Sequence, residues 1–136
     1  MKTDEKNAAG AVMDKMPPRR ISIVDDDASI REAVKSLMRS IQVDVQAFAS
    51  AEEFLNSERV HDTSCLILDV YLPGMSGFEL QNCLNLERKH IPIIFITAHS
   101  DEVSRQRALQ GGAVEFLSKP VRSDALFKAI QSAIER

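Results

Sequence analysis

Five short apolar segments alternate along the chain with stretches in which apolar residues recur every three or four positions. This alternation constrains the fold most, because the two patterns belong to strands and to amphipathic helices respectively. Strands that are apolar without interruption are buried on both faces, as in parallel sheets. The predicted strands cover residues 21–24, 43–48, 65–68, 92–96 and 114–117. The sequence therefore predicts an α/β protein.

Parallel strands that are joined through helices can pack in only a few ways. Right-handed crossovers place helices on both faces of the sheet. The small doubly wound solution is the flavodoxin-like fold, a five-stranded parallel sheet with strand order 2-1-3-4-5. We predict this fold for residues 20–136. Residues 1–19 are polar, lack periodicity and include Pro17-Pro18, so we expect a flexible N-terminal tail there.

Serine residues mark the predicted starts of four helices. The predicted N-caps are Ser50, Ser76, Ser100 and Ser123. The first two are each followed three positions later by a glutamate, which is the pattern of a capping box. Gly111-Gly112 is predicted to end the fourth helix, because glycine is favoured just past a helix C-terminus.

The charge balance and the apolar content exclude several classes of function. With 17 basic and 20 acidic residues, the chain has a net charge of −3 and lacks the basic footprint of a nucleic-acid-binding domain. No apolar run approaches the roughly 18 residues that cross a membrane, and the first residues lack the apolar stretch of a secretory signal. Cys65 and Cys83 lie in apolar segments without CxxC spacing, so we expect two buried thiols in a cytoplasmic protein.

Polar side chains follow four of the predicted strands at the points where those strands end. Three aspartates, residues 25–27, follow the first strand, and Asp69 follows the third. Thr97 ends the fourth strand and Lys119 follows the fifth. In open parallel sheets, ligands bind beyond the carboxyl ends of the strands, at the switch point between strands 1 and 3. The sequence therefore predicts a functional site at this edge.

The chemistry of these residue types is coherent. Two carboxylates about 4 Å apart repel each other by roughly 4 kcal/mol, so a positive charge is needed beside them. Lys119 is one candidate, and a hard ion such as Mg²⁺, which prefers oxygen ligands, is another. An aspartate beside a metal ion can attack a phosphoryl group and form an aspartyl phosphate. Lys119 and the Thr97 hydroxyl would then interact with the transferring oxygens.

Each of these residues also has a purely structural interpretation. The aspartates could cap the first helix, and we favour that role for Asp27. Asp69 could begin an ordinary turn, Thr97 could reflect β-propensity at a strand end, and Lys119 could be a solvated lysine. Their collection at one edge favours the functional interpretation of the set.

The same residues resemble the receiver domains of two-component response regulators. The resemblance spans about residues 20–136 and is most similar to receivers of the nitrogen-fixation regulator (FixJ-like) type. It rests on Val24-Asp25-Asp26, on Asp69 with Pro73-Gly74-Met75-Ser76-Gly77 downstream, on Ile96-Thr97-Ala98-His99 and on Lys119-Pro120. It implies a phosphorylation-dependent signalling switch rather than an enzyme with a separate substrate.

The resemblance implies a phosphoacceptor with a metal ion beside it. Asp69 would accept the phosphoryl group and would also bind Mg²⁺, or Mn²⁺ as a substitute. Asp26 would be a direct metal ligand and the backbone carbonyl of Tyr71 another, while Asp25 would act nearby through water. Arg31 sets this register within the aspartate triplet, because it follows Asp26 by five positions, as an arginine often does in this family.

The resemblance also implies how the signal leaves the site. Thr97 and Lys119 would bind the phosphoryl oxygens, and Lys119-Pro120 would be a cis peptide. Phe116 would be a switch aromatic that turns inward when Thr97 moves toward the phosphate. The face formed by the fourth helix, fifth strand and fifth helix would then change shape. Tyr71 is bulky and flanks the pocket together with His99, so we expect slow autodephosphorylation.

The implied partners are a sensor histidine kinase or a phosphotransfer protein, with homodimerisation on phosphorylation. The domain itself would bind neither nucleic acid nor a membrane. Control of transcription is expected if an output domain follows in a longer chain, and a stand-alone receiver or phosphate-relay module is the alternative. An aspartate-nucleophile phosphatase is a distant alternative, because such enzymes need an acid two residues after the nucleophile, where this chain has Tyr71.

Overall fold

The computed structural model describes residues 19–135, so the tail predicted for residues 1–19 lies, except for its last residue, outside the described residues. The strands are β1 (Arg20–Val24), β2 (Asp44–Phe48), β3 (Cys65–Asp69), β4 (Ile93–Thr97) and β5 (Glu115–Ser118). The helices are α1 (Ala28–Ser40), α2 (Ala51–Leu55), α3 (Gly77–Leu86), α4 (Glu102–Gln110) and α5 (Ser123–Ile134). A short 3₁₀ helix, Glu58–His61, precedes β3 and was not predicted.

The five strands form one parallel sheet in the order β2-β1-β3-β4-β5, which confirms the predicted fold class. The switch point lies between β1 and β3. From β1 the chain adds β2 on one side of the sheet and then β3, β4 and β5 on the other. Because the strands are parallel, the carboxyl ends of all five lie along one edge. This edge is where a doubly wound sheet binds its ligand.

Neighbouring residues of each central strand point into two different cores. Leu66 and Leu68 of β3 lie in one core, whereas Cys65 and Ile67 lie in the other. The first core is closed by α2, α3 and α4, and the second by α1 and α5. All five residues of β3 and all five of β4 are buried. Full burial of a large apolar side chain contributes roughly 1.5–3 kcal/mol, so these two strands form a rigid base for the residues at their ends.

Two of the predicted helix N-caps are wrong. The cap of α4 is Asp101, whose carboxylate accepts a hydrogen bond from the Ser104 N–H at 2.8 Å. Ser100 instead shares a hydroxyl hydrogen bond of 2.8 Å with Ser118. Aspartate caps helices as well as serine does, so sequence alone does not separate adjacent candidates. In α5 the N-cap residue is Arg122, whose side chain makes no capping hydrogen bond. Ser123 is the first helical residue.

The other capping predictions hold, with one change. Ser76 and Glu79 form the complete capping box of α3. Ser50 caps α2 by accepting from the Glu53 N–H at 3.1 Å, but the Glu53 carboxylate accepts from the Ala49 N–H rather than from Ser50. Helix α4 ends at Gly111-Gly112 as predicted, and Gly112 has a φ of 101°, which favours glycine.

The two cysteines differ in their exposure. Both are free thiols, but only Cys65 is buried, so the prediction of two buried thiols is wrong for the half-buried Cys83. Burial raises the pKa of the Cys65 thiol to about 12, which keeps it protonated and unreactive at neutral pH. Within residues 19–135, no helix combines the length and the apolar character needed to cross a membrane.

Candidate functional site

The parallel register brings the four predicted polar strand ends together at one edge. Asp25 directly follows β1, and Asp69 is the last residue of β3, beside Ile96 of β4. Thr97 ends β4 opposite Ser118 of β5, and the backbone N–H of Lys119 donates to the Thr97 carbonyl at 2.8 Å. Residues that are far apart in sequence are thus neighbours because the strands that carry them are adjacent.

Three carboxylates form an acidic cluster at this edge. Asp25, Asp26 and Asp69 each place one carboxylate oxygen so that these atoms all lie within 4.8 Å of one another. Asp25 is fully buried and Asp69 is 5% exposed, whereas Asp26 is exposed. The cluster therefore has a buried floor and an open side, which a cation can enter from solvent.

Lys119 lies against the two buried carboxylates. Its Nζ is 2.9 Å from Oδ2 of Asp25 and 3.1 Å from Oδ2 of Asp69. Burial lowers the pKa of Lys119, but the close contacts of its ammonium group with the carboxylates of Asp25 and Asp69 outweigh burial and raise that pKa above its usual value. Lys119 is therefore a permanent cation at neutral pH and offsets part of the negative charge.

Asp69 remains electrostatically disfavoured even with Lys119 beside it. Burial and, after it, the charge of Asp25 raise the pKa of Asp69, and the hydrogen bond from Lys119 only partly reverses the shift. The ionised Asp69 carboxylate therefore destabilises the folded domain. A further cation at the cluster would relieve this cost.

The donor set fits a hard metal ion. Oδ1 of Asp25 accepts from the Asp27 N–H at 2.9 Å. Oδ2 of Asp25 is buried and, although it pairs with Lys119, receives no hydrogen bond of good geometry. A buried carboxylate oxygen with spare acceptor capacity beside two further carboxylates is the oxygen-rich environment that Mg²⁺ prefers. Tyr71 adjoins this set, because its N–H donates to Oδ1 of Asp69 at 3.3 Å.

Asp27 caps a helix, as favoured from the sequence. Its carboxylate accepts from both the N–H and the hydroxyl of Ser29, at 2.9 and 2.7 Å. The hydrogen bonds from Ser29 lower the pKa of Asp27. Arg31, used above to set the register of the triplet, donates from Nη1 to the Asp25 carbonyl at 2.8 Å. Arg31 thus holds the backbone of the loop that presents the acidic cluster.

Thr97 and the two rim residues occupy the other side of the edge. Thr97 is fully buried, and its hydroxyl oxygen accepts from the His99 N–H at 3.1 Å, which leaves the hydroxyl proton available for donation. The rings of Tyr71 and His99 meet edge to face, with centroids 5.7 Å apart. Tyr71 is 53% exposed, so this aromatic pair forms a partly open wall.

Phe116 is already turned inward in this structure. It is 8% exposed and its ring centroid lies 6.4 Å from that of Phe95. The inward movement expected from the resemblance would therefore have to start from an outward rotamer that this structure does not show. The peptide bond between Lys119 and Pro120 is cis, as the resemblance implied.

Two hydrogen bonds at this edge could not be predicted from the sequence. Glu52 of α2 accepts a hydrogen bond from the Met75 N–H at 2.8 Å, across a separation of 23 residues. The Ser100–Ser118 hydroxyl bridge connects the loop after Thr97 with the residue before Lys119. Both depend on side-chain directions across different elements, which local patterns do not encode.

A family model and several curated proteins match most of this chain. A family model described as a response regulator receiver domain matches residues 21–131. The chain is 49% identical over 116 residues to nodulation protein W of Bradyrhizobium diazoefficiens, an alignment that covers 85% of this chain and 51% of that protein. It is 44% identical over 115 residues to response regulator protein TodT of Pseudomonas putida, covering 85% of this chain and 51% of that protein. The chain thus spans about half the length of these curated relatives.

Solved structures agree with the sequence comparison. The chain is similar to the response regulator StyR, with a TM-score of 0.81 and 43% identity, covering 88% of this chain and 60% of that one. It is also similar to FixJ-N, with a TM-score of 0.79 and 32% identity, covering 89% of this chain and 97% of that one. The transcriptional regulatory protein FixJ of Azorhizobium caulinodans is 34% identical over 116 residues, which cover 85% of this chain and 55% of that protein.

Proposed function

Because this chain belongs to the response regulator receiver family, we propose that it is a phosphorylation-dependent signalling switch with Asp69 as its phosphoacceptor. The observation that carries the proposal is the grouping of Asp25, Asp26 and Asp69 within 4.8 Å, with Lys119 paired to two of them. Buried like charges destabilise a fold, and clusters of them are found mainly at functional sites. The relatives are response regulators and a transcriptional regulatory protein, not enzymes with a separate substrate.

The phosphoryl step requires one nucleophile and several charge-compensating groups. A carboxylate oxygen of Asp69 would attack the phosphorus of a phosphohistidine on a sensor kinase or phosphotransfer protein, forming an oxygen–phosphorus bond. The phosphorus–nitrogen bond breaks, and the histidine nitrogen keeps the electron pair and takes up a proton. Lys119 would neutralise one transferring oxygen and the Thr97 hydroxyl would donate to another.

The metal ion proposed here is Mg²⁺, with Mn²⁺ as a substitute. Asp26, Asp69 and the Tyr71 carbonyl would hold it directly, and Asp25 would act through water. When bound, Mg²⁺ supplies positive charge to the phosphoryl oxygens and lowers the repulsion between them and the carboxylates. Asp25 is suited to the indirect role because its Oδ1 accepts from the Asp27 N–H, while its Oδ2, beside Lys119, keeps acceptor capacity for a metal-bound water.

The direct test is uptake of phosphate from a small phosphodonor. We expect intact-mass measurement after incubation with acetyl phosphate and Mg²⁺ to show one added phosphoryl group, and EDTA to prevent its addition. We expect this metal dependence because burial and the charge of Asp25 both raise the pKa of Asp69, so a further cation is needed beside the ionised carboxylate. If acetyl phosphate and a purified histidine kinase both fail to phosphorylate the protein in Mg²⁺, the proposed function is wrong and only the fold assignment remains.

The output of the switch is proposed to be the face formed by α4, β5 and α5. Movement of Thr97 toward the phosphoryl group would favour the inward position of Phe116 and shift the population between two packings of this face. Coupling energies of this kind are typically about 1–3 kcal/mol. The face would then control homodimerisation or contact with an output domain. Because the relatives are about twice as long as the matched region, control of transcription is proposed for a longer chain, with a stand-alone or phosphate-relay receiver as the alternative.

Tyr71 provides a test of how water reaches the aspartyl phosphate. We expect Tyr71→Ala to shorten the phosphorylated lifetime about three- to tenfold, because loss of the ring opens the wall it forms with His99. Tyr71→Phe is the matched control, since it keeps the ring and should keep the lifetime. The lifetime would be followed by phosphate release after removal of the donor. Equal lifetimes for the alanine variant and the wild type would exclude shielding by Tyr71.

A further inference from the structure

The loop between β3 and α3, residues 70–76, follows the proposed phosphoacceptor directly. At its junction with α3, the backbone amides of Met75, Ser76 and Gly77 each have a separate acceptor. Two of the acceptors are local. The Gly77 N–H donates to the Val70 carbonyl at 2.9 Å, and the Ser76 N–H donates to Oε1 of Glu79 at 2.9 Å. These two bonds close the loop on itself and start α3, but they do not fix its position relative to the rest of the domain.

The third amide is held from a different element. The Met75 N–H donates to Oε2 of Glu52, a residue of α2, at 2.8 Å. The loop backbone lies directly against this carboxylate, because a side-chain carbon at Gly74 would be only 2.7 Å from the same oxygen. Gly74 has a φ of 76°, in the left-handed region that favours glycine, so a side chain at this position is disfavoured by the backbone as well as by Glu52. Glu52 thus restrains the loop at Met75 from a different helix.

Helix α2 is a firm base for this contact even though it is only five residues long. Ala51 and Phe54, on either side of Glu52 in sequence, are both fully buried. The ring of Phe54 packs edge-on against Phe48 at the end of β2, with centroids 5.5 Å apart. Ser50 caps the helix. The backbone that carries Glu52 is therefore anchored in the core, and the carboxylate has a fixed origin from which to reach the loop.

From this geometry we infer that Glu52 is a positioning residue for the phosphoacceptor site. It restrains the loop at Met75, so that the backbone of Tyr71 stays beside Asp69. The inference rests on the proposed function, in which the Tyr71 carbonyl binds Mg²⁺. A loop without this restraint samples more conformations, and Mg²⁺ binding must then order it, which weakens the affinity.

The experiment compares Glu52→Ala, Glu52→Gln and a matched control, Glu53→Ala, with the wild type. The control removes an adjacent glutamate whose carboxylate accepts only from the nearby Ala49 N–H among the described contacts. Hydrogen exchange of the Met75 amide is measured by NMR without metal, and the Mg²⁺ dissociation constant is measured by titration. Phosphorylation by acetyl phosphate is followed over a range of Mg²⁺ concentrations.

We expect Glu52→Ala to accelerate Met75 exchange and to weaken Mg²⁺ binding, each by roughly three- to tenfold, the range for loss of one hydrogen bond. Glu52→Gln keeps an acceptor oxygen and should restore most of both properties. Saturating Mg²⁺ should return the phosphorylation rate of Glu52→Ala to near that of the wild type, because the bound metal then orders the loop. Glu53→Ala should leave Met75 exchange and the Mg²⁺ affinity unchanged.

The two proposals fail in different ways. Wild-type Met75 exchange and Mg²⁺ affinity in Glu52→Ala would overturn the positioning role, whatever the wild type does with acetyl phosphate. Equal changes in Glu52→Ala and Glu53→Ala would also overturn it, because a general loss of charge or of helix stability would then be the cause. Failure of the wild-type protein to accept phosphate would overturn the proposed function alone, since neither the exchange nor the Mg²⁺ titration depends on phosphoryl transfer.

Discussion

Asp69→Asn is expected to abolish phosphorylation while leaving the domain folded and more stable than the wild type in the absence of Mg²⁺. The amide of asparagine is not a nucleophile toward phosphorus, so intact mass should show no phosphoryl adduct with acetyl phosphate and Mg²⁺. Asp27→Asn is the matched control. It makes the same change of charge near the same edge, and asparagine remains a good helix cap, so uptake should persist.

The stability gain of Asp69→Asn should depend on pH. Burial and the charge of Asp25 raise the pKa of Asp69, so the ionised carboxylate destabilises the fold at pH values above that raised pKa. The cost disappears as the pH falls below the ordinary aspartate value of 3.8. Urea unfolding without Mg²⁺ should therefore show a higher midpoint for Asp69→Asn at pH 7.5, and a difference that shrinks toward pH 4. A lower midpoint for the variant at pH 7.5 would contradict the electrostatic account of the site.

Lys119→Met is expected to be the most destabilising single change at the site. It removes the cation that lies within 3.1 Å of both buried carboxylates. Removing one partner from a buried ion pair costs about 3–5 kcal/mol, and we expect about 2–3 kcal/mol here because Lys119 keeps some contact with solvent. Urea unfolding at pH 7.5 without Mg²⁺ measures this loss. Lys35→Met is the control, since Lys35 forms a surface pair with Glu32 that is worth at most about 1 kcal/mol.

The pH dependence of the unfolding free energy distinguishes loss of charge from a packing defect in Lys119→Met. The pKa of Lys119 is raised above its usual value of 10.5, so its contribution is present below that pH and is lost only as the pH rises through the raised pKa. Between pH 5 and 9 the contribution of Lys119 itself is therefore constant. Protonation of Asp69 at acid pH removes one of the negative charges that Lys119 offsets, so the destabilisation by Lys119→Met should be smaller at pH 4. At neutral pH, Mg²⁺ replaces part of the lost positive charge and should also reduce the destabilisation. A destabilisation that is the same at pH 4 and pH 7.5, and that Mg²⁺ does not reduce, would indicate a packing defect.

The sequence was sufficient for the fold because every relevant signal was local. Unbroken apolar runs such as Cys65–Leu68 indicated strands buried on both faces, and the alternation with helices left few topologies. The resemblance to receiver domains added the family, which the match over residues 21–131 confirms. The sequence did not decide every helix boundary, because Ser100 and Asp101 are equally acceptable caps, and in the structure Asp101 is the cap of α4.

The sequence also located the edge at which the polar residues meet, but not their individual environments. Asp25, Asp26 and Asp27 are consecutive in the sequence and identical in chemistry. In the fold the first is fully buried, the second is exposed at the cluster and the third caps α1. The difference arises because the chain leaves β1 and turns into α1 within these three residues, so each side chain points in a different direction.

By itself, the sequence determined the order of strands and helices, the two cores and the strand ends that carry polar groups, since all of these follow from periodicity along the chain. Tertiary structure alone decided that Lys119 pairs with both Asp25 and Asp69, that Phe116 lies inward and that Glu52 holds the Met75 amide. These contacts join residues of different elements, and their existence depends on side-chain directions and distances of a few ångströms. Such quantities are set only when the sheet and its helices pack together.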